Sequence, residues 1–245
     1  MVGRASPLLR RGAAFAALLA LLLAYYELRH LLTTPRLWIQ AVVIACVVIP
    51  AVFALIWLAL PLWSSRYMLP AALVLGAVAL GCELAHFYRV SNFAKFGAYA
   101  ALGFWFLRWF ETAAWVVLVA VIIPWVDAYS VWRGPTKHIL AHQQQLFGYF
   151  SFAFPIPGEH ASAQLGLPDL MFFAVFLAAS ARFRLRPGWT WLAMTASFGT
   201  TMALVVAFDL TGLPALPLLS IAFLAPNADL LWRRLRGTRD GSVTP

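Results

Sequence analysis

Apolar residues occur along this chain in long, almost unbroken runs separated by short polar gaps. About 20 helical residues are needed to cross a bilayer core, and backbone polar groups that face lipid must be satisfied within their own segment. The pattern therefore predicts an all-α membrane protein, a polytopic bundle of about eight or nine helices. Eight runs qualify: residues 12–30, 37–63, 67–87, 96–110, 113–133, 167–182, 188–209 and 213–232.

The connection over residues 134–165 is the longest in the chain and departs from this pattern. Its first half is polar, whereas residues 146–157 are aromatic and include two prolines. This aromatic part is too short to span a bilayer as a helix. It is predicted to form either a re-entrant or interfacial piece or an extended strand.

Composition supports lipid as the main solvent of the chain. Apolar residues make up 63% of the sequence and charged residues 11%, against about half and a quarter in soluble domains. The net charge of +9 comes from Lys and Arg placed mostly in the gaps between apolar runs. It indicates membrane topology and not a nucleic-acid partner. With the N-terminus inside, the positive-inside rule places both termini of an eight-span chain in the cytoplasm.

Two carboxylates lie where a membrane helix should be apolar. Asp127 is near the end of the fifth predicted span and Asp169 is at the start of the sixth. A charge inside a span costs several kcal/mol by most estimates, so such residues are candidates for function. Because consecutive spans are antiparallel, the end of one and the beginning of the next lie on the same side. The two carboxylates are therefore expected to meet.

A pair of neighbouring carboxylates in a low dielectric shares a proton. Aspartic proteases use this arrangement: one group removes a proton from water while the other assists the scissile carbonyl. Two other interpretations stay open. Asp169 could only cap a helix while Asp127 satisfies a polar neighbour, or the pair could relay protons or bind a cation in a transporter or channel.

Three separated motifs resemble, in order, those of the presenilin and signal peptide peptidase family of GxGD intramembrane aspartyl proteases, including its archaeal and bacterial relatives. The first is Asp127 near the end of a span. The second is Gly166-Leu167-Pro168-Asp169. The third is Pro214-Ala215-Leu216, which is similar to the family's Pro-Ala-Leu element.

The resemblance implies a presenilin-like fold and an activity. Residues 113–245, including the 134–165 loop, would carry catalysis, and residues 1–112 would form a scaffold of about four spans. The enzyme would be an endopeptidase without cofactor, hydrolysing bonds in or near transmembrane helices of substrate proteins in a prokaryotic cell membrane. Asp127 and Asp169 would be catalytic. The active site and substrate would be supported by Gly166, Leu167, Pro168, Pro214, Ala215 and Leu216. Residues just before Gly166 could pair with an unwound substrate strand.

The sequence departs from the family pattern at three points. Val126 stands where the family usually has tyrosine, and Pro168 replaces the second glycine of the motif, which removes a backbone donor and fixes φ. The family has nine spans with catalytic residues toward the cytoplasm, whereas eight spans place them outside. A catalytically impaired relative that binds membrane helices is therefore a further alternative.

A metal site is not expected. Glu83 and His86 share a helix face at a spacing that metal sites use, but a second such pair is missing, so a polar interfacial contact is predicted. His138 and His142 also share a face, which is interpreted as solvated. The motifs of serine and zinc proteases do not occur in the sequence.

Overall fold

A computed structural model describes residues 7–32, 36–133, 148–158, 162–208 and 213–240. The helices and strands follow in this order: α1 Pro7–Leu28, α2 Leu37–Val43, α3 Ile49–Ala59, α4 Met68–Leu84, α5 Tyr88–Phe106, α6 Ala113–Trp132, β1 Ser151–Pro155, β2 Ser162–Gly166, α7 Leu167–Arg182, α8 Pro187–Ala207, α9 Leu216–Leu224 and α10 Ala228–Asp240. A π-helical segment, Ile44–Val48, joins α2 to α3, and short 3₁₀ turns extend α1, α3, α5 and α9.

Hydrogen bonds between helix ends identify the two ends of the bundle. At one end, the Tyr25 hydroxyl of α1 donates to the Pro155 carbonyl and the Gln40 amide of α2 donates to the Pro157 carbonyl. This is the hairpin end. At the opposite end, Arg182 donates to the Leu107 carbonyl, and Asn227 donates to the Thr190 hydroxyl.

Four helices of the described part are long and apolar enough to cross a membrane. They are Pro7–Leu31, Leu37–Leu62, Ala113–Ser130 and Pro187–Ala207, and the shorter Met68–Leu84 is also apolar. These helices indicate a membrane protein. The helix predicted over 167–182 is observed as Leu167–Arg182, while the one predicted over 96–110 begins earlier, at Tyr88. The last predicted span, 213–232, is divided between α9 and the polar α10.

The aromatic part of the long connection contains β1, which pairs with β2 as an antiparallel hairpin. This agrees with the strand alternative and not with a re-entrant helix. Phe152 pairs with Leu165 and Phe154 pairs with Ala163. These side chains join the hydrophobic core, because alternate residues of a strand share one face. Within the described part of the chain, the regular structure is thus helical except for this two-stranded sheet.

Side chains of the first helices cover the outer edge of β1. The Asn92 amide of α5 accepts from the Ala153 N–H (2.9 Å) and donates to the Ala153 carbonyl (3.0 Å). The Tyr26 hydroxyl donates to the same carbonyl at 2.6 Å. Asn92 thereby supplies the donor and acceptor that a neighbouring strand would supply. In a membrane this matters because lipid offers neither.

Helix α7 lies in the centre of the bundle, and nine consecutive residues from Phe172 to Ser180 are buried. A helix that is apolar on all sides is expected at such a position. Its closest neighbour is α5, where Gly103 faces Met171 and Ala174 of α7. Small residues allow membrane helices to approach in this way. Helices from both halves of the chain therefore share one core.

We expect Gly103→Ala to destabilise the protein. A Cβ at this position would lie 2.5 Å from the Met171 carbonyl oxygen, and helix backbone cannot move away cheaply. Overpacking of this kind costs about 1–3 kcal/mol. The matched control is Gly76→Ala in α4, where a Cβ would meet nothing within 4 Å. Thermal unfolding in detergent measures both, and equal midpoints for the two variants would contradict the close approach of α5 and α7.

Candidate active site

Asp127 and Asp169 border one cavity of about 830 Å³ at the hairpin end of the bundle. Asp127 is contributed by the last turns of α6, and Asp169 by the first turn of α7. The sequence prediction that the two carboxylates meet is in agreement with this placement. They are near enough for one charge to affect the other, so ionising both would place two like charges at the same cavity.

Asp127 is fixed by the start of α9. Its Oδ2 accepts a hydrogen bond of 3.0 Å from the Leu216 N–H. Leu216 is the first residue of α9, and the N–H groups of a first helical turn have no partner within the helix. Asp127 therefore caps α9 from another helix. Pro124 lies inside α6 one turn earlier, where its missing N–H leaves a helix carbonyl without its usual bond.

Asp169 lies against the backbone that leads into α7. Gly166 occupies the N-cap position, with φ −59° and ψ 137°. A Cβ on Gly166 would lie 3.1 Å from Asp169 Oδ2, so the glycine gives the carboxylate its space. Pro168 is the second residue of α7, because the helix begins at Leu167. Because the first N–H groups of a helix have no partner within the helix, proline at this position costs α7 no hydrogen bond.

The structure brings together all but one of the residues predicted to support the site. Five of them line the cavity: Gly166, Pro168, Pro214, Ala215 and Leu216. Leu167 differs, since its side chain is 1% exposed and belongs to the hydrophobic core. Its contribution is to anchor the start of α7 beside the aspartates. Asp127 thus connects the other two motifs: it accepts a hydrogen bond from Leu216 of the Pro-Ala-Leu segment, and it lies near Asp169.

Apolar and aromatic side chains that sequence analysis did not single out form much of the cavity wall. They come from the π-helical segment, α3, α6, β1, α7 and α8, and include Ile44, Ile49, Ile123, Phe154, Phe172 and Phe198. Polar groups are few beside them, with Thr201 and Ser130 among those present. In a chain this rich in apolar residues, nothing in the sequence separates a cavity wall from a lipid-facing surface.

Strand β2 has an outer edge that faces away from β1. The Leu167 N–H donates to the Phe150 carbonyl, so residues 165 and 163 are the next to bond across the hairpin. The N–H and carbonyl of Gln164, between them, point outward. Gln164, Leu165 and Gly166 all line the cavity. Among the described residues, the sheet contains only β1 and β2.

The described residues contain no group of three or more His, Cys, Asp and Glu side chains that could hold a metal. Glu83 accepts from the Ser91 hydroxyl and lies 3.5 Å from Lys95, while a His86 ring nitrogen lies 2.7 Å from the Tyr88 hydroxyl. Each of the two residues thus has polar partners of its own, at separate places. His138 and His142 lie outside the described residues.

The chain was also compared with known proteins. No protein-family model matches it, and a search of curated protein sequences returned no match. The functional interpretation therefore depends on the three motifs and on the geometry of the cavity they border.

Proposed function

We propose that this protein is an intramembrane aspartyl protease of the presenilin-like GxGD type, with Asp127 and Asp169 as its catalytic pair. It hydrolyses peptide bonds in or near transmembrane helices of other membrane proteins. The observation that carries the proposal is the cavity itself. Two interacting carboxylates border it, together with the Pro-Ala-Leu segment that donates to Asp127.

The geometry supports division of the work between the carboxylates. One ionised aspartate accepts a proton from water, and the protonated partner donates to the carbonyl oxygen of the scissile bond. The Leu216 N–H holds Asp127 in orientation throughout. Apolar walls limit the water near the pair, which strengthens the electrostatic interaction between the groups that remain. The products are a carboxylate and an amine, and no covalent enzyme intermediate is formed.

The substrate must present an extended segment, since the carbonyls of an intact helix are bonded to their own backbone. The outward N–H and carbonyl of Gln164 can pair with such a segment by strand addition. Backbone bonding of this kind makes little demand on side-chain sequence. Residues that weaken a helix near the cut, such as glycine and proline, are then expected to favour cleavage. In this proposal the bundle of eight or nine spans resides in a prokaryotic cell membrane.

The direct test is cleavage of a transmembrane reporter by the purified protein in liposomes. Fragments are identified by mass spectrometry, and proton and cation flux are measured in parallel with the same preparation. Cleavage within or beside the reporter's membrane segment supports the protease. Flux through intact liposomes without any fragment would overturn it in favour of a transporter or channel that uses the same aspartates.

We expect Pro168→Gly to increase cleavage without loss of folding. Pro168 is exposed at the start of α7 beside Asp169, and its ring restricts the φ angle next to the carboxylate. Glycine restores mobility there and costs about 1 kcal/mol or less at an exposed helix position. The measurement is the initial rate of reporter cleavage beside Pro187→Gly, which makes the same change at the start of α8 at the opposite end. A rate that falls in Pro168→Gly alone would show that the proline supports catalysis; a rise from no detectable activity would identify the natural chain as an impaired relative.

A further inference from the structure

The two faces of the hairpin differ in chemistry. Side chains of successive strand residues point to opposite faces, and residues paired across the strands share a face. Ala153 pairs with Gln164, so Ser151 and Ser162 lie on the same face as these two. The Ser151 hydroxyl donates to the Gln164 side-chain oxygen across it, at 2.5 Å. We call this the polar face of the hairpin.

The second face is apolar. It carries Phe152 and Phe154 of β1 and, paired with them, Leu165 and Ala163 of β2. The two phenylalanines are buried in the hydrophobic core, and the two β2 side chains pack against it. We call this the apolar face. Strand β2 therefore alternates, residue by residue, between two environments.

A cavity of about 500 Å³ lies against the polar face. All the strand residues that line it belong to that face: Ser151, Ala153, Ser162 and Gln164. Its other walls include Asn92 and Lys95 of α5 and Glu83 of α4. Side chains that donate and accept hydrogen bonds thus surround this space, which we call the polar cavity.

The cavity that holds the two aspartates lies along the apolar face and the outer edge of β2. Phe154, Ala163 and Leu165 of the apolar face all line it. Ser162 and Gln164 line both cavities, because their side chains belong to the polar face while their backbone forms the outer edge. A strand added at this edge would therefore separate the two cavities.

We propose that an extended substrate segment bound along β2 presents its side chains alternately to the two cavities, so the protein selects segments in which polar and apolar residues alternate. Residues opposite each other on neighbouring strands have Cβ atoms about 5 Å apart on one face. The substrate residue opposite Gln164 accordingly points to the polar face, and its two neighbours point to the side of Ala163 and Leu165. The inference rests on the proposed function, since it specifies which segments that active site accepts.

Serine and threonine suit the polar positions of such a segment. Their hydroxyl groups both donate and accept hydrogen bonds, so they can pair with the Gln164 amide. A large apolar side chain there would cover that amide without satisfying it, and a polar side chain on the other face would be buried without a partner. Serine and threonine are also weaker helix formers than leucine. The residues that match the polar face therefore also favour the extended form of the substrate.

The binding test compares two labelled peptides of identical composition, Val-Ser-Val-Ser-Val-Ser and Val-Val-Val-Ser-Ser-Ser, by fluorescence anisotropy in detergent. The protein carries Asp127→Asn, so that neither peptide is cut during the measurement. We expect the alternating peptide to bind about fivefold more tightly, the effect of one additional satisfied hydrogen bond. No substitution in β2 is needed for this comparison.

Gln164→Leu, added to the same protein, identifies the face that selects the polar residues. Leucine keeps the outward N–H but covers the polar face with an apolar side chain, so we expect the preference for the alternating peptide to disappear. The matched control is Thr200→Val, which removes a polar group from an exposed position of α8 and should leave the preference unchanged. Circular dichroism and size-exclusion profiles show whether each variant is folded.

Cleavage provides an independent measurement with the natural chain. Two transmembrane reporters carry the alternating segment in opposite phases, one beginning with valine and the other with serine. Because the faces of β2 are fixed relative to the aspartates, the cut should follow the same residue type in both. Mass spectrometry should therefore show a cut displaced by one residue between the reporters.

The outcomes separate this inference from the protease itself. Equal affinity for the two peptides, or cuts at the same position in both reporters, would overturn the alternating selection while the protease stands. Intact reporters together with a fivefold preference in binding would overturn the protease and support alternating recognition of an extended peptide. Loss of the preference in Thr200→Val as well would show that the polar face is not its source.

Discussion

We expect Asp127→Asn and Asp169→Asn each to abolish reporter cleavage while leaving the protein folded. An amide keeps the shape of the carboxyl group but does not exchange its proton with water or the scissile bond. Loss of general acid–base catalysis lowers a rate by about 10²- to 10⁴-fold. Folding is retained at Asp127 because the Leu216 N–H can donate to an amide oxygen as it does to Oδ2. The interacting like charges of the pair are removed at the same time.

The matched control for both substitutions is Asp229→Asn. Asp229 is an exposed carboxylate at the opposite end of the bundle, where it accepts two hydrogen bonds from Arg186. Solvent screens an exposed ion pair, which therefore contributes little to stability, so this variant should fold and cleave normally. The measurement is fragment yield over time in liposomes at equal protein density. Cleavage that persists in either active-site variant would sink the assignment of the catalytic pair.

We expect Gln164→Pro to reduce cleavage about tenfold, mainly by weakening substrate binding. The Gln164 N–H points away from β1, so proline removes no backbone bond of the hairpin; it deletes the outward donor and, with the side chain, the oxygen that accepts from the Ser151 hydroxyl. One backbone hydrogen bond contributes about 0.5–1.5 kcal/mol, which corresponds to a factor of about 10 at the upper end. The expected result is a higher KM with a smaller change in kcat, measured with a graded series of reporter concentrations.

Gln164→Ala separates the backbone from the side chain. Both substitutions remove the side-chain oxygen that accepts from the Ser151 hydroxyl, but alanine keeps the outward N–H. Alanine should therefore cleave close to the natural rate while proline does not. If the two variants cleave equally slowly, the side chain matters and the outer edge of β2 does not pair with substrate.

The sequence was sufficient to predict that the two aspartates lie together, because membrane spans rarely contain carboxylates. Two carboxylates at the ends of consecutive apolar runs must either meet or be unpaired in lipid, and the structure places Asp127 and Asp169 at one cavity. The start of α7 was also predictable, since Gly166 and Pro168 interrupt the apolar pattern there. Local composition determines both features.

Other features depend on contacts that composition does not encode. Nothing in an aromatic stretch distinguishes a re-entrant helix from β1, because its strand form depends on Asn92 and Tyr26 from distant helices. The close approach of α5 and α7 at Gly103 is equally invisible, since Gly76 occurs in a similar apolar helix and contacts nothing. The side chain of Leu167 points into the core and not into the cavity. This depends on how α7 is oriented about its own axis against its neighbours, which the local sequence does not specify.

The bond between Asn92 and Ala153 makes the two portions of the chain inseparable. A fragment starting at residue 113 would retain both aspartates, but the N–H and carbonyl of Ala153 would lose the amide that now satisfies them. In hydrocarbon such groups cost several kcal/mol each, and the buried face of α7 would lose α5 as well. The hairpin would have to seek another strand, either from a second fragment or from the substrate itself. The N-terminal helices thus hold in place the strand that borders the aspartate cavity.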